Sequence, residues 1–188
     1  MQAPNSKELV NEIFDILNIP SHARDKPVVL NTSTGRWLTV WGDDTARELT
    51  TTRRELLTWC SDIQSYPPTK PFIRLLAECA KATNEQKILL YLSSAQGQAA
   101  FCDLRTGPHI TIAQLLNAFP SLQPPFSHLL SVLNTLMPRF YTLSQDPQLS
   151  CTREGTNCRR LIEIAVTVHE TPNWQGGPRT GLGSGFLE

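Results

Sequence analysis

Proline partitions this chain, and the partition limits what it can fold into. Pro20, Pro67, Pro68, Pro71, Pro108, Pro120, Pro124, Pro125 and Pro138 interrupt a sequence that holds 14 prolines in all. A proline inside a helix removes a backbone hydrogen bond and clashes with the turn before it, so helices must start or stop near these positions. Between them, apolar residues recur three and four apart, the spacing of a helix that buries one face. Asn5, with Glu8 at capping-box spacing, opens a first run through Leu9, Val10, Ile13, Phe14 and Leu17, and Pro20 ends it. Thr52 and Glu55 repeat that spacing ahead of Leu56, Leu57, Trp59 and Ile63. Thr69 precedes a run through Phe72, Leu75, Leu76 and Cys79, with Pro71 in the first turn. Asn84 opens the next, through Ile88, Leu89 and Tyr91, and further helices are predicted within 95–104, 111–118 and 125–136.

Two stretches break the pattern. Within 21–46, Val28-Val29-Leu30 and then Trp37, Leu38, Val40 and Trp41 flank Thr32-Ser33-Thr34-Gly35, which reads as a small hairpin or irregular insert. After Pro138 the spacing changes to strand periodicity at 139–143 and again at 161–168, with a polar loop over 145–159 between them. The end is glycine-rich and reaches Phe186-Leu187 as a new helix is starting, so the domain is expected to continue past it. The expected class is α+β: a helical block, a strand pair, then a glycine turn.

Charge excludes some functions. Lys+Arg and Asp+Glu are 17 each, so the chain is formally neutral, and a basic nucleic-acid or membrane-surface binder is disfavoured. Apolar residues make up 40%, enough for a core, and no apolar run approaches the roughly 18 residues of a membrane span. The N-terminus carries acidic residues at helical spacing where a secretory leader has an unbroken apolar stretch. Five cysteines without a CxxC pair point to reduced thiols and a cytoplasmic protein.

Two segments carry chemistry. In an extended Arg139-Phe140-Tyr141-Thr142, the guanidinium and the phenol share one face. A ring beside a two-pronged cation suits a flat phosphorylated ligand, although the same residues also make an ordinary amphipathic strand. Gly181-Leu182-Gly183-Ser184-Gly185 lets backbone N–H groups approach an anion, but such a run also serves as a flexible tail. Cys151 and Cys158 lack partners for a metal site, and His22, His109 and His128 lack a carboxylate or cysteine at useful spacing. Trp37, Trp41 and Trp59 read as packing residues.

Taken in order, Arg139-Phe140-Tyr141-Thr142 resembles the Arg-x-Tyr-(Ser/Thr) flavin motif of the ferredoxin-reductase superfamily, and Gly181-Leu182-Gly183-Ser184 its Gly-x-x-(Ser/Thr) partner. The helical block resembles the connecting insertion of the diflavin reductases, the group that includes methionine synthase reductase and the reductase halves of nitric oxide synthases. Pro4-Asn5-Ser6-Lys7-Glu8-Leu9-Val10, the helix carrying Arg54, Leu57, Trp59, Asp62 and Ile63, and Pro120-Ser121-Leu122-Gln123-Pro124-Pro125 are similar to further family segments. Phe140 and Thr142 stand where Tyr and Ser are more usual.

The resemblance implies a helical connecting domain over 1–136, holding the insert at 21–46, and the C-terminal part of an antiparallel FAD-binding barrel over 137–188. It implies FAD with its diphosphate on Arg139, Arg54 and the 181–184 turn, including the Leu182, Gly183 and Ser184 amides. Tyr141 would stack on the isoalloxazine and Thr142 would lie near N5. Glu163 and Ala165 would run along the flavin edge, and His169 would lie against adenine. The implied activity is an NADPH-dependent diflavin oxidoreductase, with NADPH and FMN on domains outside this chain and an FMN-binding, flavodoxin-like partner. The barrel's first strands are expected to precede this segment, which leaves strand edges open for self-association. Two other readings remain: a helical interaction module whose site no longer binds flavin, and a nucleotide binder without redox chemistry.

Overall fold

A computed structural model of the chain describes residues 3–30, 49–64, 68–107, 110–146, 152–154, 157–159, 162–168, 170–172 and 178–187. The first helix, α1 (Lys7–Ile16), is capped by Ser6, whose hydroxyl accepts from Leu9 N at 3.2 Å. Asn5, expected to be the cap, sits one residue earlier and is used elsewhere. The helix also stops before Pro20. Asn18 takes a left-handed conformation (φ 54°), donating to Asp15 O while Ile19 N donates to Phe14 O. That hydrogen-bond pair is a Schellman closure, and Asn is among the few side chains that tolerate the required φ.

A short helix α2 (Ser21–Arg24) leads to β1 (Pro27–Leu30), which pairs antiparallel with β2 (Leu49–Thr52), Val28 facing Thr51. The pairing closes the insert beyond its expected end at 46, on a strand not expected from the sequence; the turn at 32–35 and Trp37 and Trp41 lie outside the described residues. Thr52 and Glu55 form the predicted capping box on α3 (Arg53–Glu55). This short helix runs directly into a π-helical turn, Leu56–Cys60, closed by Ser61 N donating to Leu56 O at 3.0 Å.

The helical block continues with α4 (Lys70–Cys79), α5 (Thr83–Ser93), α6 (Gln98–Thr106), α7 (Ile112–Ala118) and α8 (Phe126–Val132). Thr69 caps α4 and Thr111 forms a capping box with Gln114 on α7. Helix α7 ties the block together. Its Ile112, Leu115 and Leu116 join Phe72, Ile73, Leu76, Leu89 and Leu129 in the larger core, while Ala113 packs in a second core with Val10, Ile13, Phe14, Leu57 and Ile63. Five consecutive buried residues, 112–116, cover more than a full turn, and α7 has core on both sides.

The second half departs from a continuous barrel wall. Among the described residues the strands form three separate two-stranded sheets: β1–β2, then β3 (Thr152–Glu154) with β4 (Asn157–Arg159), and β5 (Glu170–Pro172) with β6 (Pro178–Thr180). The β3–β4 hairpin lies inside the stretch read as a polar loop. Pro172 faces Pro178 at the end of β5–β6, and two residues without a backbone N–H end the ladder there. Among the described residues, the strands expected at 139–143 and 161–168 meet only at a bridge between Leu143 and Ile164, with Ser144 N donating to Glu163 O at 2.9 Å. Helix α9 (Leu182–Leu187) follows, and it takes up Gly183-Ser184-Gly185 of the glycine run itself, whereas a helix is expected from the sequence only at Phe186.

Candidate functional site

The segment after α8 is stitched to the end of the π-turn before it reaches the candidate residues. Asp62 N donates to Asn134 O at 2.8 Å, Ser61 bridges Thr135, and Leu136 N donates to Cys60 O at 2.8 Å. Leu136 is buried, which anchors this arm in the helical block. Pro138 then holds the backbone extended, and the side chains alternate as strand geometry requires. Arg139 and Tyr141 are half-buried on one face; Thr142 is exposed, and Phe140 is 92% exposed on the other.

The second arm arrives from β6 through Gly181 into α9, with Gly185 N donating to Gly181 O at 2.8 Å. Gly183 is buried against the first arm. A Cβ built on it would lie 2.6 Å from Arg139 Cδ, 2.8 Å from Arg139 Nε and 2.9 Å from Tyr141 Oη. No side chain fits there without moving the guanidinium or the phenol. The fold therefore brings Arg139, Tyr141 and the glycine turn to one place. Gly181 and Leu182 also line an adjoining cavity of about 340 Å³ whose far wall is Pro4, Asn5, Ser6 and Lys7. A cation, a phenol and a bare backbone turn in contact are a donor set suited to a diphosphate joined to a flat ring.

Arg54 is placed differently from its expected position on the same anion. Its Nε and Nη2 donate to the two carboxylate oxygens of Asp25 at 2.6 and 3.1 Å, its Nη1 donates to Asn11 Oδ1 at 2.8 Å, and the guanidinium lies over the Phe14 ring. The hydrogen bond from Arg54 holds the Asp25 carboxyl below its ordinary pKa, and the Arg54 pKa is raised in return. Glu163 and Ala165 are exposed, Glu163 contributing its carbonyl to the Ser144 bond. Ser184 is half-buried at the start of α9, and His169 lies outside the described residues. Partial burial and nearby Glu55 push the Cys60 thiol up, as burial and Glu78 do for Cys79, so neither is an activated nucleophile. Among the described residues, no cluster of His, Cys, Asp and Glu could hold a metal, and no helix is long and apolar enough to cross a membrane.

From the sequence Asn5 is expected to cap the helix, and its bonds to the π-turn, which hold the first arm in place, are not foreseen. The available signal was the Pro4-Asn5 pair itself, because a polar residue ahead of the Ser6 cap has no capping work left to do.

A family model described as FAD binding domain matches residues 1–186. An uncharacterized FAD-binding protein of Schizosaccharomyces pombe is 50% identical over 188 residues, covering 100% of this chain and 31% of that protein. Methionine synthase reductase of Caenorhabditis elegans is 43% identical over 94 residues, 50% of this chain and 14% of the relative. A nitric oxide synthase of Anopheles stephensi is 28% identical over 186 residues, 97% of this chain and 14% of the relative. The chain thus spans under a third of the length of these relatives.

Proposed function

The chain belongs to the FAD binding domain family, and from that premise we propose that it holds the FAD of an NADPH-dependent diflavin oxidoreductase. Residues 1–136 serve as the helical connecting domain and 137–188 as part of the flavin barrel. When bound, FAD supplies a hydride acceptor that can release its electrons one at a time. The chain's own work is binding and orientation. Arg139 pairs with the diphosphate, and the backbone of Gly181, Leu182, Gly183 and Ser184 closes around it. The Tyr141 ring supports the flavin face, and the Thr142 hydroxyl hydrogen-bonds near N5. Glu163 and Ala165 would follow the flavin edge, and His169, outside the described residues, would be the partner for adenine. Arg54 joins the diphosphate only by leaving Asp25, an exchange of one anion for another.

The observation that carries this reading is the meeting of Arg139 and Tyr141 with Gly183, where nothing larger than a hydrogen fits. NADPH, an FMN-binding, flavodoxin-like partner and a haem or other acceptor would all lie outside this chain. The free thiols of Cys60, Cys79 and Cys102 are in keeping with a cytoplasmic setting. Exposed Phe140 and Ile162, on segments that share a single β-bridge, are an edge at which two copies can associate. Titrating FAD into the purified chain tests the proposal. Flavin fluorescence should be quenched to a saturating level, and Tyr141→Ala should lose most of the quenching. A wild-type chain that leaves added FAD fluorescent and unbound overturns the reading in favour of an interaction module without flavin.

A further inference from the structure

The π-turn Leu56–Cys60 ends in carbonyls that its own hydrogen bonding does not satisfy, and the groups that satisfy them come from outside. Asn5 supplies most of them. Its backbone N donates to Thr58 O at 2.9 Å, and its Nδ2 donates to both Leu57 O and Ser61 O at 2.7 Å. Cys60 O is taken by Leu136 N, at the root of the arm that carries Arg139 and Tyr141. One face of the turn is thus held by Asn5 and another holds the guanidinium arm. Asn5 also belongs to the wall of the 340 Å³ cavity, opposite Thr180, Gly181 and Leu182 of the glycine arm. It is 2% exposed and cannot reach solvent for other partners.

We propose that Asn5 is a positioning residue for the flavin site. By clamping the π-turn it sets the gap between Arg139–Tyr141 and the glycine turn, without itself touching the cofactor. This rests on the reading that the cradle takes FAD. Its Oδ1 is buried with no hydrogen-bond partner among the described residues. A buried acceptor left in that state is costly, yet truncating the side chain would also remove the donor that the Leu57 and Ser61 carbonyls share. The orphaned acceptor is offset by two buried donor bonds, and both of these fall on the turn that carries the first arm of the site.

The test compares FAD affinity and stability in four chains: wild type, Asn5→Ala, Asn5→Asp and Ile73→Val. Aspartate keeps the shape but cannot donate to Leu57 O or Ser61 O. Ile73 is fully buried in the larger core and serves as a variant of comparable instability remote from the clamp. Each is titrated with FAD by fluorescence at a temperature where circular dichroism shows it folded, and the visible dichroism of bound flavin is recorded at saturation. Both Asn5 variants should bind FAD about tenfold more weakly and alter the flavin dichroism, with Ile73→Val unchanged in both. If Asn5 variants match wild type, or if Ile73→Val weakens binding equally, the inference is wrong. Wild type failing to bind FAD defeats the flavin reading instead. Hydrogen exchange on wild type needs no variant: FAD should slow the amides of Asn5 and Leu136, since coupling between sites is reciprocal. Unchanged rates at both would also overturn the proposal.

Discussion

Gly183→Ala separates binding from folding at the candidate site. The new methyl would sit 2.6 Å from Arg139 Cδ, 2.8 Å from Arg139 Nε and 2.9 Å from Tyr141 Oη, whereas non-bonded heavy atoms settle about 3.5–4.0 Å apart. The guanidinium and the phenol must therefore retreat by about 1 Å. Both contacts fall on the outer ends of long side chains, so retreat requires only small torsional adjustments and leaves the backbone in place. Alanine is better than glycine in a helix interior by about 1 kcal/mol, and at the second residue of α9 part of that gain offsets the crowding. Stability should stay close to wild type, a melting shift of no more than about 2–4 °C. Affinity should not. The displaced atoms are those proposed to grip the diphosphate and support the ring, and a misplacement of about 1 Å at such a site weakens its action by up to about a hundredfold. Fluorescence titration with FAD and a thermal melt on the same preparation measure both quantities. A Gly183→Ala chain that binds FAD within about twofold of wild type would refute the claim that these three residues share one ligand.

Asn18→Ala should destabilise the fold by about 1 kcal/mol, because a β-carbon that lacks the Asn amide is poorly accommodated at φ 54°, while Asn18→Gly should be neutral or better; urea unfolding checks both. Removing the Thr111 hydroxyl, which caps the buried helix α7, should lower stability by about 1 kcal/mol with no change in the FAD affinity of the folded chain, read from parallel denaturation and titration. The Asp25 carboxyl is held below its ordinary pKa by Arg54, so the stability from this pair is present above the ordinary aspartate value and fades as pH falls through the lowered one. Asp25→Asn should therefore be less stable than wild type at neutral pH and equal to it in strong acid. A difference that persists in acid would mean that Asp25 acts through something other than its charge.

How much of this was legible depended on where each feature's hydrogen-bond partners lie. The caps at Thr52, Thr69 and Thr111 follow from a hydroxyl and the amide three residues on, both inside a short window. The start of α5 was placed at Asn84 because nothing nearby marks the true one. Ala82 precedes it without a side-chain cap, and its amide donates to Ser121 Oγ, 39 residues away. The strands at 139–143 and 161–168 show the limit of periodicity. Alternation decides which side chains share a face, as it did for Arg139 and Tyr141, but says nothing about partners, and these segments pair at a single bridge. The β3–β4 hairpin was missed because its residues are polar, so it lacks the apolar alternation that marks a half-buried strand.

The candidate site divides in the same way. Each arm announces itself by residue type, since a guanidinium beside a phenol and a run of glycines are uncommon choices with few uses. The clamp between them does not, because Asn5 bonds to backbone carbonyls that any residue could supply, and no spacing rule marks a π-turn. Arg54 is the opposite case: its type was legible and its partner was not. A guanidinium goes to the best anion within reach, and in the free chain that anion is Asp25. Exposed pairs of this kind are screened by solvent and hold less tightly than a doubly charged diphosphate can hold a two-pronged cation. The ion pair therefore holds Arg54 in a defined pose on the Phe14 ring at little cost to a stronger anion. Through Asp25 and Asn11, Arg54 ties α1 to the segment after α2, and any part in cofactor binding depends on breaking that tie.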